Sequence, residues 1–282
     1  MKITILEPKG YCTGVNHAIE LALTARKNHP LLAVNVLGML VHNYHVIAFL
    51  KQHDIGLIKN IHDAPKGSVI IFTAHGHENK DEQIANEKDL VIYDAICPLV
   101  KKNLTTIAKE KANHHQVIYI GYPSHPETLA AISSNSNVHL YSISQTFDYR
   151  VVSDEAPLII NQTTLNVLSL KDIHRDIKSH LPQARFQDEI CRATRNRQEA
   201  LLQLEADVDT IIVVGSQTSS NAKRLYEIAI SNHPQVDVFL IEEVKQLPKE
   251  ILKTKKHVVI SSSASTPLSL IEEIKNELIN LK

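Results

Sequence analysis

Along most of the chain, short apolar runs rich in β-branched residues alternate with longer segments whose apolar positions recur at helical spacing. The runs at 3–6, 33–37, 68–72, 90–94, 116–120, 158–161, 210–214, 236–241 and 257–260 predict strands. Helical period predicts helices over roughly 14–26, 44–52, 100–113, 168–180, 192–206, 221–231 and 268–280. Such alternation implies right-handed βαβ units and mainly parallel sheets, an α/β fold. No low-complexity stretch or obvious linker interrupts it.

A coarse repeat is laid over this pattern. Cys12, Cys97 and Cys191 each stand just ahead of a predicted helix, roughly 90 residues apart, about the size of one small α/β unit. The chain is therefore expected to divide into three such units, 1–96, 97–190 and 191–282. Grouped about a common centre, they would bring three helix N-termini, each with a thiol, to one point. Helix N-termini carry partial positive charge and favour thiolates and other anions. That suits a negatively charged metal–sulfur cluster beside a phosphate.

Composition narrows the classes. Of 282 residues 43% are hydrophobic, enough for a sizeable core, and 30 basic against 31 acidic side chains leave no global basic surface for nucleic acid. The opening MKITILEPKG lacks an apolar signal region, and no run approaches the ~20 apolar residues that cross a bilayer. A cytoplasmic location with no membrane partner is expected. Three cysteines, odd in number and far apart, do not make a disulfide framework, and no C-x-x-C suggests structural zinc. Three thiolates are one short of the four that usually hold a cubane cluster, so one iron would keep an open position. Three unrelated buried thiols are the plain alternative. Against it stand the glycines around Cys12, which permit close backbone approach, and Pro98, which suits a helix start after Cys97.

Anion-binding candidates lie past strand ends, where ligands bind in open α/β sheets. His42 follows the second predicted strand, His75 the third and His125 the fifth. Any one alone reads as a capping or solvent-facing histidine; three in equivalent places point to a shared anion site. The polar run 215–221 contains Ser219, Ser220 and Asn221, and a second serine cluster ends in Ser265. These residues can cap a helix, or present hydroxyls and N–H groups to a phosphate. Glu127, two residues past His125, suits a helix dipole or a proton donor to the pocket. No phosphate-binding G-x-x-x-x-G-K-[ST] loop and no G-x-G-x-x-G fingerprint occurs, which argues against triphosphate hydrolysis and a dinucleotide cofactor.

At these residues the chain resembles the LytB family, the hydroxymethylbutenyl diphosphate reductases that finish the non-mevalonate route to isoprenoids. The resemblance runs from Gly10 to Pro267 through GYCTGVNHAIE, GMLVHN, FTAHG, DAICPLV, SHPE, NQTTL, DEICRATRNRQEA, VVGSQTSSNAKRL and SASTP. It implies that Cys12, Cys97 and Cys191 hold one four-iron, four-sulfur (4Fe-4S) cluster, with three α/β units in pseudo-threefold array about it. It further implies that His42, His75, His125, Ser219, Ser220, Asn221 and Ser265 bind the substrate, mostly its diphosphate. Thr163 would orient the substrate hydroxyl and Glu127 would donate the proton. Electrons would come from a donor such as ferredoxin or flavodoxin, and two-electron reductive dehydroxylation would yield isopentenyl and dimethylallyl diphosphate. The chain departs from the family pattern at Met39-Leu40, Asn103-Leu104, Ser124, Leu129-Ala130-Ala131 and Ser262-Ser263. A paralogue acting as reductase or hydro-lyase on another phosphorylated molecule, or an iron–sulfur sensor, therefore stays open.

Overall fold

The computed structural model describes residues 1–133 and 137–281. Twelve strands run through them: β1 Lys2–Ile5, β2 Val34–Leu37, β3 Gly56–Ile58, β4 Val69–Phe72, β5 Val91–Asp94, β6 Val117–Gly121, β7 Val138–Ser142, β8 Leu158–Asn161, β9 Arg185–Phe186, β10 Thr210–Val214, β11 Asp237–Ile241 and β12 His257–Ser262. Ten helices accompany them: α1 Thr13–Asn28, α2 Tyr44–Gln52, α3 Asn79–Glu87, α4 Pro98–Ala112, α5 Pro126–Ile132, α6 Val167–His180, α7 Arg192–Leu202, α8 Ser220–Asn232, α9 Lys249–Leu252 and α10 Leu268–Asn280. None is long and apolar enough to cross a membrane.

The strands form three four-stranded sheets, ordered β1-β12-β10-β11, β3-β2-β4-β5 and β7-β6-β8-β9. Every pairing is parallel, as the strand–helix alternation requires. Two compact units result. One comprises Met1–Val15, His42–His45 and Cys191–Lys282 and holds the first sheet; the other comprises Asn16–Val41 and Val46–Ile190 and holds the other two. The N-terminal strand pairs with β12 in register Ile3–Val258, so it completes the sheet of the C-terminal third.

Burial follows from parallel pairing. The central strands β4, β6, β8, β10 and β12 are buried along their whole length; the first four read as predominantly apolar runs, while β12 is apolar only over Val258–Ile260, between His257 and Ser261-Ser262. Ile212, Val214, Val258 and Ile260 pack one face of the first sheet against Leu270, Ile271, Ile274 and Leu278 of α10. Ile211, Val213 and Val259 pack the other against Leu225, Ile228 and Ala229 of α8. In the third sheet, Ile118, Ile120 and Ile159 meet Leu170 and Ile177 of α6, while Val117, Tyr119 and Ile160 face Ile107 of α4.

The nine expected strands and seven expected helices are all present, with ends shifted by a few residues. The largest shift is at α7, which stops at Leu202 where the periodicity suggested 206. Three strands were not expected. β3 and β9 are three and two residues long, and the edge strand β7 is mostly half-buried, so none gives a continuous apolar run. The helix α3 buries only Ala85, and α5 and α9 have seven and four residues, too short for a helical period to emerge.

Candidate functional site

Parallel sheets send all their loops of one kind to one edge, and the candidate residues lie on the loops that follow strand carboxyl ends. The unit of the first sheet carries Cys12, His42, Cys191, Ser219, Ser220, Asn221 and Ser265; the other carries His75, Cys97, His125, Glu127 and Thr163.

In the first unit, Cys12 follows β1, and its amide donates to the Ala264 carbonyl at 2.9 Å, tying it to the loop after β12. Gly10 makes the turn with φ +72°, and a Cβ there would sit 2.7 Å from Leu268 Cδ2. Cys191 is the residue before α7, and Ser219 caps α8 by accepting from the Ala222 amide at 3.3 Å. Gly215, at the end of β10, lets the chain pass between α8 and the serine loop: a Cβ would fall 2.8 Å from Ala222 Cβ and 2.9 Å from Ser263 Cβ. The loop itself is knitted together by Ser263 Oγ to Thr266 Oγ1 at 3.0 Å and by Thr266 Oγ1 donating to the Val214 carbonyl at 2.7 Å. Ser265 Oγ donates to the His42 carbonyl at 3.4 Å. Burial, together with the Lys223 charge, lowers the His42 pKa, so its imidazole rests neutral.

Asn221 is the conspicuous member of this set. It is buried in the first turn of α8, yet neither its amide oxygen nor its amide nitrogen has a hydrogen-bond partner. An unsatisfied buried amide costs about 1–3 kcal/mol. A side chain kept at that cost beside a helix N-terminus suits a ligand with acceptor oxygens.

In the other unit, Cys97 is the residue before α4, with Pro98 at the first helical position, and its amide donates to the Ala74 carbonyl at 3.0 Å. His75 follows β4, and its ring meets that of His125 edge-on with centroids 5.6 Å apart. His125 caps α5 through Nδ1, which accepts from the Glu127 amide at 3.2 Å. An accepting Nδ1 leaves the proton of the neutral ring on Nε2.

Glu127 is 2% exposed. Its Oε1 accepts from the Thr163 amide at 2.9 Å and from the Tyr119 hydroxyl at 3.1 Å; its Oε2 accepts from Thr163 Oγ1 at 2.9 Å. Burial raises its pKa to about 7, and the three donors, which favour the charged form, hold it from going further. The carboxyl therefore sits at the midpoint of its titration near neutral pH, as a proton donor should.

Soft donors and counter-charge fit an iron–sulfur group at the cysteines. The three cysteines are half-buried and form no disulfide, and α1, α4 and α7 carry no acidic residue in their first turns. Arg197, 3% exposed, makes no ion pair with any described carboxylate. A separate group of possible hard ligands, Glu205, Asp207 and His257, includes none of the cysteines. Lys2 already pairs with Glu205 and approaches Asp207 to 3.7 Å, and His257 bridges Asp207 and Thr4.

Tyr119 and Arg197 are not legible as site residues in the sequence. Tyr119 reads as one more core residue of β6. Arg197 left a faint signal: the buried stripe of α7 is Thr194, Arg197, Gln198 and Leu201, polar where helical spacing calls for apolar side chains.

Comparison with known proteins places the chain among relatives. A family model described as LytB protein matches residues 3–279. A 4-hydroxy-3-methylbut-2-enyl diphosphate reductase of Vibrio parahaemolyticus is 32% identical, with the alignment covering 100% of this chain and 90% of that protein. One of Buchnera aphidicola is 33% identical over 100% and 91%. The solved structure of the E-1-hydroxy-2-methyl-but-2-enyl-4-diphosphate reductase from Plasmodium falciparum superposes with a TM-score of 0.90 at 29% identity, covering 98% of this chain and 87% of that one. With the family pattern running almost end to end and full-length relatives above 30% identity, this chain belongs to the LytB family.

Proposed function

We propose that this chain is a 4-hydroxy-3-methylbut-2-enyl diphosphate reductase, converting its allylic substrate to isopentenyl and dimethylallyl diphosphate by two-electron reductive dehydroxylation. Cys12, Cys97 and Cys191 would hold one 4Fe-4S cluster, and the chain divides by sequence into three α/β units, 1–96, 97–190 and 191–282, with the first strand lent to the sheet of the last. When bound, that group supplies electrons and an iron with an open, Lewis-acidic position. The protein's own groups do the rest. His42, His75, His125, Ser219, Ser220, Asn221 and Ser265 bind the substrate, chiefly through its diphosphate, and so hold the reacting carbon in place with binding energy drawn from the unreactive end. Thr163 fixes the Glu127 carboxyl through two hydrogen bonds and orients the substrate hydroxyl. Glu127 delivers the proton with which the hydroxyl leaves as water. The electrons come from a small redox protein such as ferredoxin or flavodoxin, in the cytoplasm.

One observation carries this reading: a sealed carboxyl, its pKa raised by burial to about 7, two residues past an imidazole whose Nδ1 accepts from the Glu127 amide. Complementation of a bacterial strain lacking its own reductase tests it. Growth is expected, together with about four irons per chain in anaerobically purified protein. Failure to complement by a protein with its cluster intact refutes the substrate, and turnover without any reductant would point to a hydro-lyase instead. Iron retained after each of Cys12→Ser, Cys97→Ser and Cys191→Ser refutes the ligand set.

A further inference from the structure

Arg197 presents a physical problem. Burying a guanidinium costs far more than burying an amide unless an anion answers it. Here the side chain is almost completely enclosed, and its hydrogen bonds all go to neutral backbone carbonyls. Nε donates to the Ser262 carbonyl at 3.0 Å, Nη1 to Ala193 at 2.9 Å and Nη2 to Gly10 at 2.7 Å. No described carboxylate lies within ion-pair distance. The ionisable side chains nearest in effect to it are those of Cys12, Cys191 and Glu7.

The three carbonyls are not a random choice. Gly10 precedes Cys12 by two residues, Ala193 follows Cys191 by two, and Ser262 ends β12, whose following loop receives the Cys12 amide at Ala264. One planar fork thus spans the two cysteine-bearing segments of this unit and the strand end between them. Lysine could neither reach three acceptors in one plane nor keep their spacing.

From this geometry we infer that Arg197 is a positioning residue for the iron–sulfur site, holding the Cys12 and Cys191 segments at a fixed separation and acting as the buried counter-charge of the thiolate-bound cluster. The inference rests on the cluster reading above. It assigns the unpaired cation a partner that every working molecule contains: a group with negative charge that becomes more negative on reduction. A fixed positive charge stabilises the reduced form more than the oxidised one, so it raises the reduction potential.

Two variants separate the roles. Arg197→Gln removes the charge but can still bond a carbonyl; Arg197→Lys keeps the charge and loses the fork. Both are reconstituted anaerobically beside wild type and titrated with dithionite, the reduced cluster being followed by electron paramagnetic resonance. Iron release to a chelator is timed in parallel. The Gln variant is expected to hold, at the wild-type midpoint, on the order of a tenfold lower ratio of reduced to oxidised cluster, which is ~59 mV for a one-electron couple. The Lys variant is expected to keep the wild-type midpoint while shedding iron several-fold faster. Should the Gln variant fail to fold, the Lys variant decides: an unmoved midpoint with faster iron loss supports the inference, and wild-type iron retention overturns it. Wild-type midpoints in both variants also overturn it, since a purely structural arginine would alter stability alone. Wild-type protein that takes up no iron removes the cluster reading itself, which is a different failure.

Discussion

Replacing Tyr119 by Phe isolates one hydrogen bond to the proposed proton donor. The ring fills the same space in a strand residue that is 1% exposed, so the core is left packed and the change is confined to the hydroxyl. That hydroxyl donates to Glu127 Oε1 at 3.1 Å, as one of three donors to the carboxyl. A donor bonds the ionised carboxylate more strongly than the neutral acid, so Tyr119 lowers the Glu127 pKa and its loss must raise it. Hydrogen bonds to charged groups contribute ~1.5–3 kcal/mol. At 3.1 Å, with two shorter bonds remaining, the lower end applies, and ~1.4 kcal/mol is about one pKa unit. Glu127 should then titrate about one unit above its native value of about 7. The assay is the pH dependence of kcat in anaerobic turnover with an artificial electron donor. Because the acid works protonated, wild-type activity should fall on the alkaline side of about pH 7, and in Tyr119→Phe that limb should move up by about one unit. The variant would therefore be the more active enzyme, relative to its own plateau, at about pH 8. An alkaline limb that stays in place or moves to lower pH refutes the assignment of Tyr119, and one that persists in Glu127→Gln refutes that of Glu127.

Three further substitutions test the same geometry. Glu127→Gln should slow turnover by about 10²–10⁴-fold while leaving diphosphate affinity intact, read from kcat and product inhibition. It should also flatten the pH dependence of stability. The raised folded pKa means that the stability Glu127 contributes is fully present below its unfolded value and is lost as pH rises through about 7, by about 3 kcal/mol in all, so urea midpoints at acid and alkaline pH should converge in the variant. Asn221→Leu should raise the melting temperature of the metal-free chain, because it replaces an amide with two orphaned atoms, and should weaken diphosphate binding severalfold in calorimetry. Gly215→Ala should destabilise by about 1–3 kcal/mol in urea unfolding, because its methyl would meet Ala222 and Ser263 at under 3 Å, both of them fully buried.

How much of this was legible depended on whether a residue's role is local. Strands β4, β8 and β10 announce themselves because a parallel strand covered on both faces needs an unbroken apolar run. The edge strand β7 escapes because half-buried Val138–Ser142 mixes apolar and polar positions. Cys12, Cys97 and Cys191 stand where a count of residues to the next helix puts them, immediately ahead of α1, α4 and α7. Tyr119 and Arg197 could not be found that way. Tyr119 meets Glu127 across a strand-to-helix turn, and Arg197 reaches Gly10 across 187 positions of chain. Periodicity sees only that such a residue is buried; what it is buried against is decided by the sheet order.

The departures from the family pattern bear on the choice between a reductase of the expected substrate and a divergent relative, and their locations divide into two kinds. Ser124 and Leu129 are exposed, on the loop before α5 and on its outer face, and neither is a hydrogen-bond partner of Glu127, which bonds Tyr119 and Thr163. Ala130 and Ala131 are buried on the inner face of α5, where Ala130 Cβ lies 3.3 Å from the Cβ position of Gly76, next to His75. Small side chains there keep the two histidine loops close, so these changes preserve the acid and its neighbours. Asn103 is different. It is 1% exposed on α4, two turns beyond Cys97, and both its amide atoms lack partners. Like Asn221 it is held at a cost that a well-packed core would have removed, and Ser262, whose buried Oγ also lacks a partner, shares that condition on the first sheet; Asn103 and Ser262 are the departures that packing alone does not account for.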